Sequence, residues 1–354
     1  MRSLVISDLH LGSLVQRDAL RRPAALAALS VALEGIDRLV LLGDTVELLE
    51  GRPRRAMADA EPVLRELGRA MGRGREVVVV PGNHDHALVR PWLRAQAAAR
   101  RAVGLTARVP ARSDARLAEL ASWLKPARVS VRYPGITLAP GVFATHGHYL
   151  DRHLLPKLPP GLARGPLAPL PQRARPDHYE RATGPSMAAV QGVMATALPG
   201  AIGDPIDRMG GLVRRAALTA GPLAVAAPFA GVLAPLSAGL MDAQFRWAGL
   251  PAMGLCARRL GVGAEHVIFG HLHRVGPFPA DPPGEWRPGG PGTPRLHNAG
   301  SWVYEPLLLA GMRPPHPYWP GGAVLVEEGC APRTLTLLDD LEHAELTPQQ
   351  GVLQ

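Results

Sequence analysis

Five short apolar runs, each closed by a motif of Asp, His or Asn, set the plan of this 354-residue chain. Leu4-Val5-Ile6 leads into Asp8-Leu9-His10, and the run 39–42 leads into Gly43-Asp44. The valines of 77–80 lead into Gly82-Asn83-His84-Asp85, and Val142-Phe143-Ala144 into His146-Gly147-His148. Last, Val267-Ile268-Phe269 leads into Gly270-His271-Leu272-His273. Short runs rich in β-branched residues read as buried strands. Between the early runs, residues 18–33 are rich in alanine and leucine and residues 57–71 carry helical apolar spacing, so the chain reads as α/β. Each motif then sits just past the carboxyl end of a strand, where open α/β sheets build their sites. A lone D-x-H or G-H-x-H arises often by chance. Five such elements, each capping a strand, point to one site.

The donors in these motifs are oxygen and nitrogen, with no thiolate among them, a set that suits Mn²⁺, Fe or Zn²⁺. A carboxylate can bridge two cations. Asn83 offers a neutral carbonyl, which adds no negative charge to the donor set. His84 follows Asn83 directly, and an imidazole beside a metal can bind an anion or donate a proton.

With its motifs in this order, the chain resembles the calcineurin-like metallophosphoesterases, whose signature runs D-x-H, G-D-x-x-D/E, G-N-H-D/E, a later G-H or H-G, and G-H-x-H. The resemblance covers residues 1–150 and 258–340. It implies two divalent ions, with Mn²⁺ expected and Fe or Zn²⁺ compatible. Asp8, His10, Asp44 and His273 would hold one ion, and Asp44, Asn83, His146 and His271 the other, with Asp44 bridging. Two ions roughly 3.5–4 Å apart can acidify a shared water as nucleophile and clamp phosphoryl oxygens. The catalytic pair would be His84, as general acid or phosphate contact, and Glu47, which stands where the family has a carboxylate partner for this histidine. Asp85, His148 and Asn298 would lie behind the ligands or line the pocket, and His86 either lines the pocket or is a bystander. The implied fold is a four-layer α/β/β/α sandwich.

The openings Ser7-Asp8-Leu9-His10-Leu11-Gly12 and Gly43-Asp44-Thr45-Val46-Glu47 also resemble the UDP-2,3-diacylglucosamine pyrophosphohydrolase branch. That branch typically reads Gly-Asn-Arg-Asp where this chain has His84. Two other readings stand beside the hydrolase of phosphoesters or pyrophosphates: a nucleic-acid or cyclic-nucleotide phosphodiesterase, and a scaffold without catalysis. No ligand position is missing, which speaks against the scaffold.

Residues 151–257 interrupt the plan as an insertion. Its first half is punctuated by prolines and cationic, with Arg152, Lys157, Arg164, Arg173 and Arg175. Residues 216–241 contain no charged residue. That stretch reads as a helical cap over the site, a membrane-dipping hairpin, or a single span broken by prolines. A lipid-linked or other phosphorylated small molecule, and an anionic membrane surface, are the partners it would suit.

The formal charge of +9 comes from dispersed arginines without interleaved aromatics, which argues against a nucleic-acid surface. Two unpaired cysteines, Cys256 and Cys330, fit a reducing compartment. Asp8 falls where a signal peptide would need apolar residues, so a cytoplasmic catalytic domain is expected, peripheral to or anchored in a membrane through 211–250. Elsewhere, residues 90–125 read as mostly helical, 296–299, 323–327 and 333–338 as strands, 278–294 as a Pro/Gly loop, and 341–354 as a frayed tail.

Overall fold

Strands β1 (Arg2–Ile6), β2 (Arg38–Leu42) and β3 (Glu76–Val80) are buried over their last four residues, with no alternation of exposed positions. A strand reads that way when both of its faces are covered. The structure is a computed structural model describing residues 1–154, 170–182, 238–239 and 241–347, and it shows both coverings. Further strands are β4 (Thr106–Arg108), β5 (Arg128–Ala139), β6 (Val142–Thr145), β7 (His266–Phe269), β8 (Val275–Gly276), β9 (Arg295–Ala299), β10 (Gly322–Glu327) and β11 (Arg333–Thr336). Helices are α1 (Pro23–Ala32), α2 (Pro53–Met71), α3 (Arg90–Ala98), α4 (Ala115–Trp123), α5 (Asp151–Leu154), α6 (Pro176–Ala182), α7 (Leu250–Arg259), α8 (Pro306–Leu309) and α9 (His343–Leu346).

The strand order is β11-β10-β1-β2-β3-β5-β6-β7-β9-β8. Strands β1, β2, β3 and β5 run parallel, as do β6, β7 and β9. The twelve-residue β5 belongs to both halves. Its residues 128–131 pair with β3, and its residues 135–139 pair antiparallel with β6. Pro134, which cannot donate to a ladder, lies between the two pairings, and Gly135, whose added Cβ would stand 2.5 Å from Ala144 O, opens the second.

Alternation along the strands sorts the side chains into separate cores. Val5, Val40, Val78 and Val324 meet Leu138, Ala144 and Ile268 between the two halves of the sheet. Leu4, Leu39, Leu41 and Val77 point the other way, onto Leu29 of α1, Leu64 and Leu67 of α2 and Leu120 of α4. On the far side Phe143, Val267 and Phe269 pack with Phe245 and with Met253 and Ala257 of α7. Each such side chain contributes roughly 1.5–3 kcal/mol when fully buried, which favours apolar residues on both faces of these strands. The layers are therefore helix, sheet, sheet, helix, the expected α/β/β/α sandwich.

The region 90–125 is mostly helical as expected, with the short β4 between α3 and α4, and β5 follows in a stretch to which the sequence assigned no element. The expected frayed tail is corrected for its described part: Glu342 and Glu345 form a capping box on α9, and His343 bonds Tyr304 Oη and Met312 O. Of the insertion, α5, α6 and the helical residues 241–259 are described. The run 216–241, apart from residues 238, 239 and 241, lies outside the described residues. No described helix is long and apolar enough to cross a membrane.

Candidate metal centre

All five motifs converge on one rim of the sandwich because the strands before them are parallel within each half. Backbone pairing continues past the strand ends: Asp8 N donates to Gly43 O at 3.1 Å, His10 N to Asp44 O at 2.8 Å, and Gly270 N to His146 O at 2.9 Å. Trp302 N, beyond the Asn298-Ala299-Gly300-Ser301 turn, donates to Asp8 O at 3.0 Å. Loops held this closely leave no room for side chains between them. A Cβ on Gly270 would stand 1.9 Å from Ser7 Oγ and 2.4 Å from Asp8 Oδ2, and one on Gly82 2.3 Å from Asp44 Oδ1.

The backbone is strained where the donors sit. Asp8, His10, Asp44, His271 and His273 adopt positive φ between 44° and 68°, a region L-residues seldom occupy. Among the described non-glycine residues only Gln16 and Arg100 share it. Strain of this kind costs on the order of 1–3 kcal/mol per residue and persists where the surroundings enforce it.

Two groups of donors result. Asp8, His10 and His273 form one, and Asp44, His146 and His271 the other, each with its donor atoms within 4.8 Å of one another. Asp44 lies between them, with Oδ2 at 3.7 Å from His10 Nε2 and 3.2 Å from His146 Nε2. Asn83 Oδ1 stands 3.0 Å from His146 Nε2, beside the second group. His10, Asp44 and His84 form a third, overlapping group.

Hydrogen bonds from behind fix which nitrogen several of these histidines present. His146 Nδ1 donates to Leu42 O at 2.9 Å, which turns Nε2 towards Asp44. Glu47 Oε2 accepts from His84 Nδ1 at 2.6 Å and also from His10 Nδ1 at 2.8 Å. Its Oε1 accepts from Leu49 N and Glu50 N. One buried carboxylate thus orients two imidazoles, where the sequence pointed to His84 alone. Asp85 is buried and braces two loops, accepting from Gly82 N at 2.6 Å and Thr45 N at 2.8 Å. Asn298 donates to Gly270 O and accepts from Gly300 N, both at 2.9 Å. His148 is buried, with Nε2 3.3 Å from Tyr133 Oη, and is in none of the donor groups. His86 faces Glu180 Oε2 of α6 at 2.9 Å.

Asp151 and Glu180 are the residues that sequence reading passed over. Asp151 Oδ1 lies 2.8 Å from His271 Nε2, and Glu180 also accepts from Tyr133 Oη and Tyr149 Oη. The contacts join residues 120 and 94 positions apart, or 47 and 31 for the tyrosines, and neither acid lies in a motif.

The electrostatics favour ionised carboxylates. Burial pushes Asp44 up, but His146 and His84 outweigh it and hold the group well below the usual carboxylate range. Burial likewise opposes the low value of about 2 at Asp8, where His273 and His146 prevail. Burial works against a charged His84, yet Asp44 and the hydrogen bond to Glu47 hold its pKa up at about 9. The imidazole therefore keeps its Nε2 proton at neutral pH.

The donors fit divalent cations on a further ground. Asp8 Oδ1 and His10 Nε2 are buried and make no hydrogen bond of good geometry, although His273 Nε2 stands 3.2 Å from the former. Buried polar atoms are rarely left so, and an ion would satisfy both. No curated protein matches the chain. Residues 1–159 match the family model of the calcineurin-like phosphoesterases, a span that holds every donor up to His146. Residues 1–159 thus resemble the calcineurin-like phosphoesterases, and β7 and the loop after it bring His271 and His273, from beyond the insertion, to the same cluster.

Proposed function

We propose that the protein is a hydrolase of phosphoester or pyrophosphate bonds that uses two divalent ions. The observation that carries this reading is the pair of donor groups with Asp44 between them. Asp8, His10, Asp44 and His273 would hold one ion, and Asp44, Asn83, His146 and His271 the other. When bound, the ions supply an acidified water and a positive clamp for phosphoryl oxygens. Mn²⁺ is the ion we propose to be used, since the set has no thiolate to prefer a softer metal.

The protein's own residues supply the rest. Glu47 holds His10 with Nε2 facing the carboxylates and holds His84 with its Nε2–H free at the rim, where a third of that side chain or less is open to solvent. His84 is then placed to donate to the oxygen of a departing group. Asp44 Oδ1 accepts from His84 N at 2.8 Å, which ties the acid to the bridging carboxylate. Asp85 and Asn298 keep the loops that carry these groups from moving apart.

For the substrate we propose a hydrophobic or lipid-linked phosphoester or pyrophosphate, on the strength of the uncharged stretch 216–241 inserted between His146 and His271. The test is a screen of Mn²⁺-loaded protein against an aryl phosphomonoester, an aryl phosphodiester and acylated or unacylated nucleotide-sugar pyrophosphates, with liposome co-sedimentation alongside. The reading expects higher kcat/KM for the acylated pyrophosphate and binding to anionic vesicles. Equal rates with and without acyl chains, from protein that stays wholly in the supernatant, would leave a phosphoesterase of water-soluble substrates. Hydrolysis of none of them by protein with both sites filled would overturn the hydrolase itself.

A further inference from the structure

The described residues of the inserted segment touch the metal loops at three acid–base contacts. Asp151, the first residue of α5, lies 2.8 Å from His271 Nε2. Glu180 of α6 pairs with His86, two residues beyond His84. Asp242 takes Arg274 Nε, and Arg274, next to His273, is held bidentately by Asp281 at 2.8 and 2.6 Å. Of the three acids only Asp151 meets a residue of the donor groups themselves.

We propose that Asp151 is a positioning residue for the second ion, fixing His271 as the tautomer that carries its proton on Nε2 and presents Nδ1. This role for Asp151 rests on the dinuclear reading of the site. An imidazole has one nitrogen on each side, and the side facing Asp151 is spent on a hydrogen bond. A carboxylate behind a ligating imidazole also makes the opposite nitrogen a better donor. Geometry supports a dedicated role over general packing. Asp151 is buried, and among the described residues its Oδ2 has no hydrogen-bond partner and its one side-chain hydrogen bond is to His271. The positive φ of His271 and its backbone N–H bond to Asp8 Oδ2 fix the main chain but leave the ring free to turn, and Asp151 removes that freedom.

The experiment is a calorimetric Mn²⁺ titration of chelator-stripped full-length protein, with Co²⁺ absorbance as a second signal for the occupied sites. Wild type should show two binding events. Asp151→Ala should weaken one of them by about 10- to 100-fold, the usual effect of removing such a partner, and leave the other unchanged. Asp151→Asn, which keeps a hydrogen-bond acceptor and loses the charge, should fall between. In a His271→Ala background, Asp151→Ala should add nothing. The metal-free proteins should melt together, which separates positioning from a loosened fold. Two unchanged binding events in Asp151→Ala, equal weakening of both, or an additive loss in the His271→Ala background would each overturn the proposal while leaving the dinuclear reading intact. A wild type that binds fewer than two ions would overturn the dinuclear reading, and this one with it.

Discussion

Replacing Asp44 with Asn is expected to abolish phosphoester hydrolysis, with a loss of about 10³-fold or more. The side chain sits between the two donor groups, 3.7 Å from His10 Nε2 and 3.2 Å from His146 Nε2. Asparagine matches its shape but turns one oxygen into an N–H₂ donor and removes the charge, so it cannot serve two cations. The clamp those cations supply is worth several kcal/mol, and each 1.36 kcal/mol is tenfold in rate. Steady-state rates and the metal content of the same sample decide the matter. Near-normal turnover in the variant with both ions retained would remove Asp44 from the centre of the account.

The second large effect is expected at His84. His84→Ala should keep both ions, because its Nδ1 is already bound to Glu47 and the main-chain N–H to Asp44 survives the change. The rate should fall by roughly 10²- to 10⁴-fold, the usual worth of general acid–base help. The loss should be largest on alkyl esters, whose leaving oxygen needs a proton, and smallest on p-nitrophenyl esters, whose leaving group departs without one. The overlapping group of His10, Asp44 and His84 makes metal content the control. A variant that loses an ion would show His84 to be a ligand, and equal losses on good and poor leaving groups would assign it to phosphate positioning.

How much of this was legible depends on where each contact lies along the chain. The runs 39–42 and 77–80 announce themselves because burial on two faces demands continuous apolar residues, and their parallel pairing follows from the helices between them. β5 hid for the opposite reason. It changes partners midway, so Arg128, Arg132 and the Pro134-Gly135 step break any apolar pattern, although it joins the two halves of the sheet. Glu47 was legible through its spacing from Asp44, whereas its second bond, to His10, depends on how two loops lie side by side in space. Asp151 was illegible altogether. It reads as the first residue of an insertion, and only the folded chain brings it to His271. Arg274 and Asp281 are similar, since the Pro/Gly stretch that contains Asp281 reads as a loop and is one, yet it buries an ion pair beneath Trp286.

The central claim is that the converging motifs hold two ions and that hydrolysis needs both. Chelator-stripped protein titrated with Mn²⁺, with bound metal and turnover followed on the same samples, tests this most directly. The account predicts no activity in the stripped protein, two ions per chain at saturation, and turnover that rises as the second site fills. Full activity with a single ion per chain, or hydrolysis that survives stripping, would contradict it.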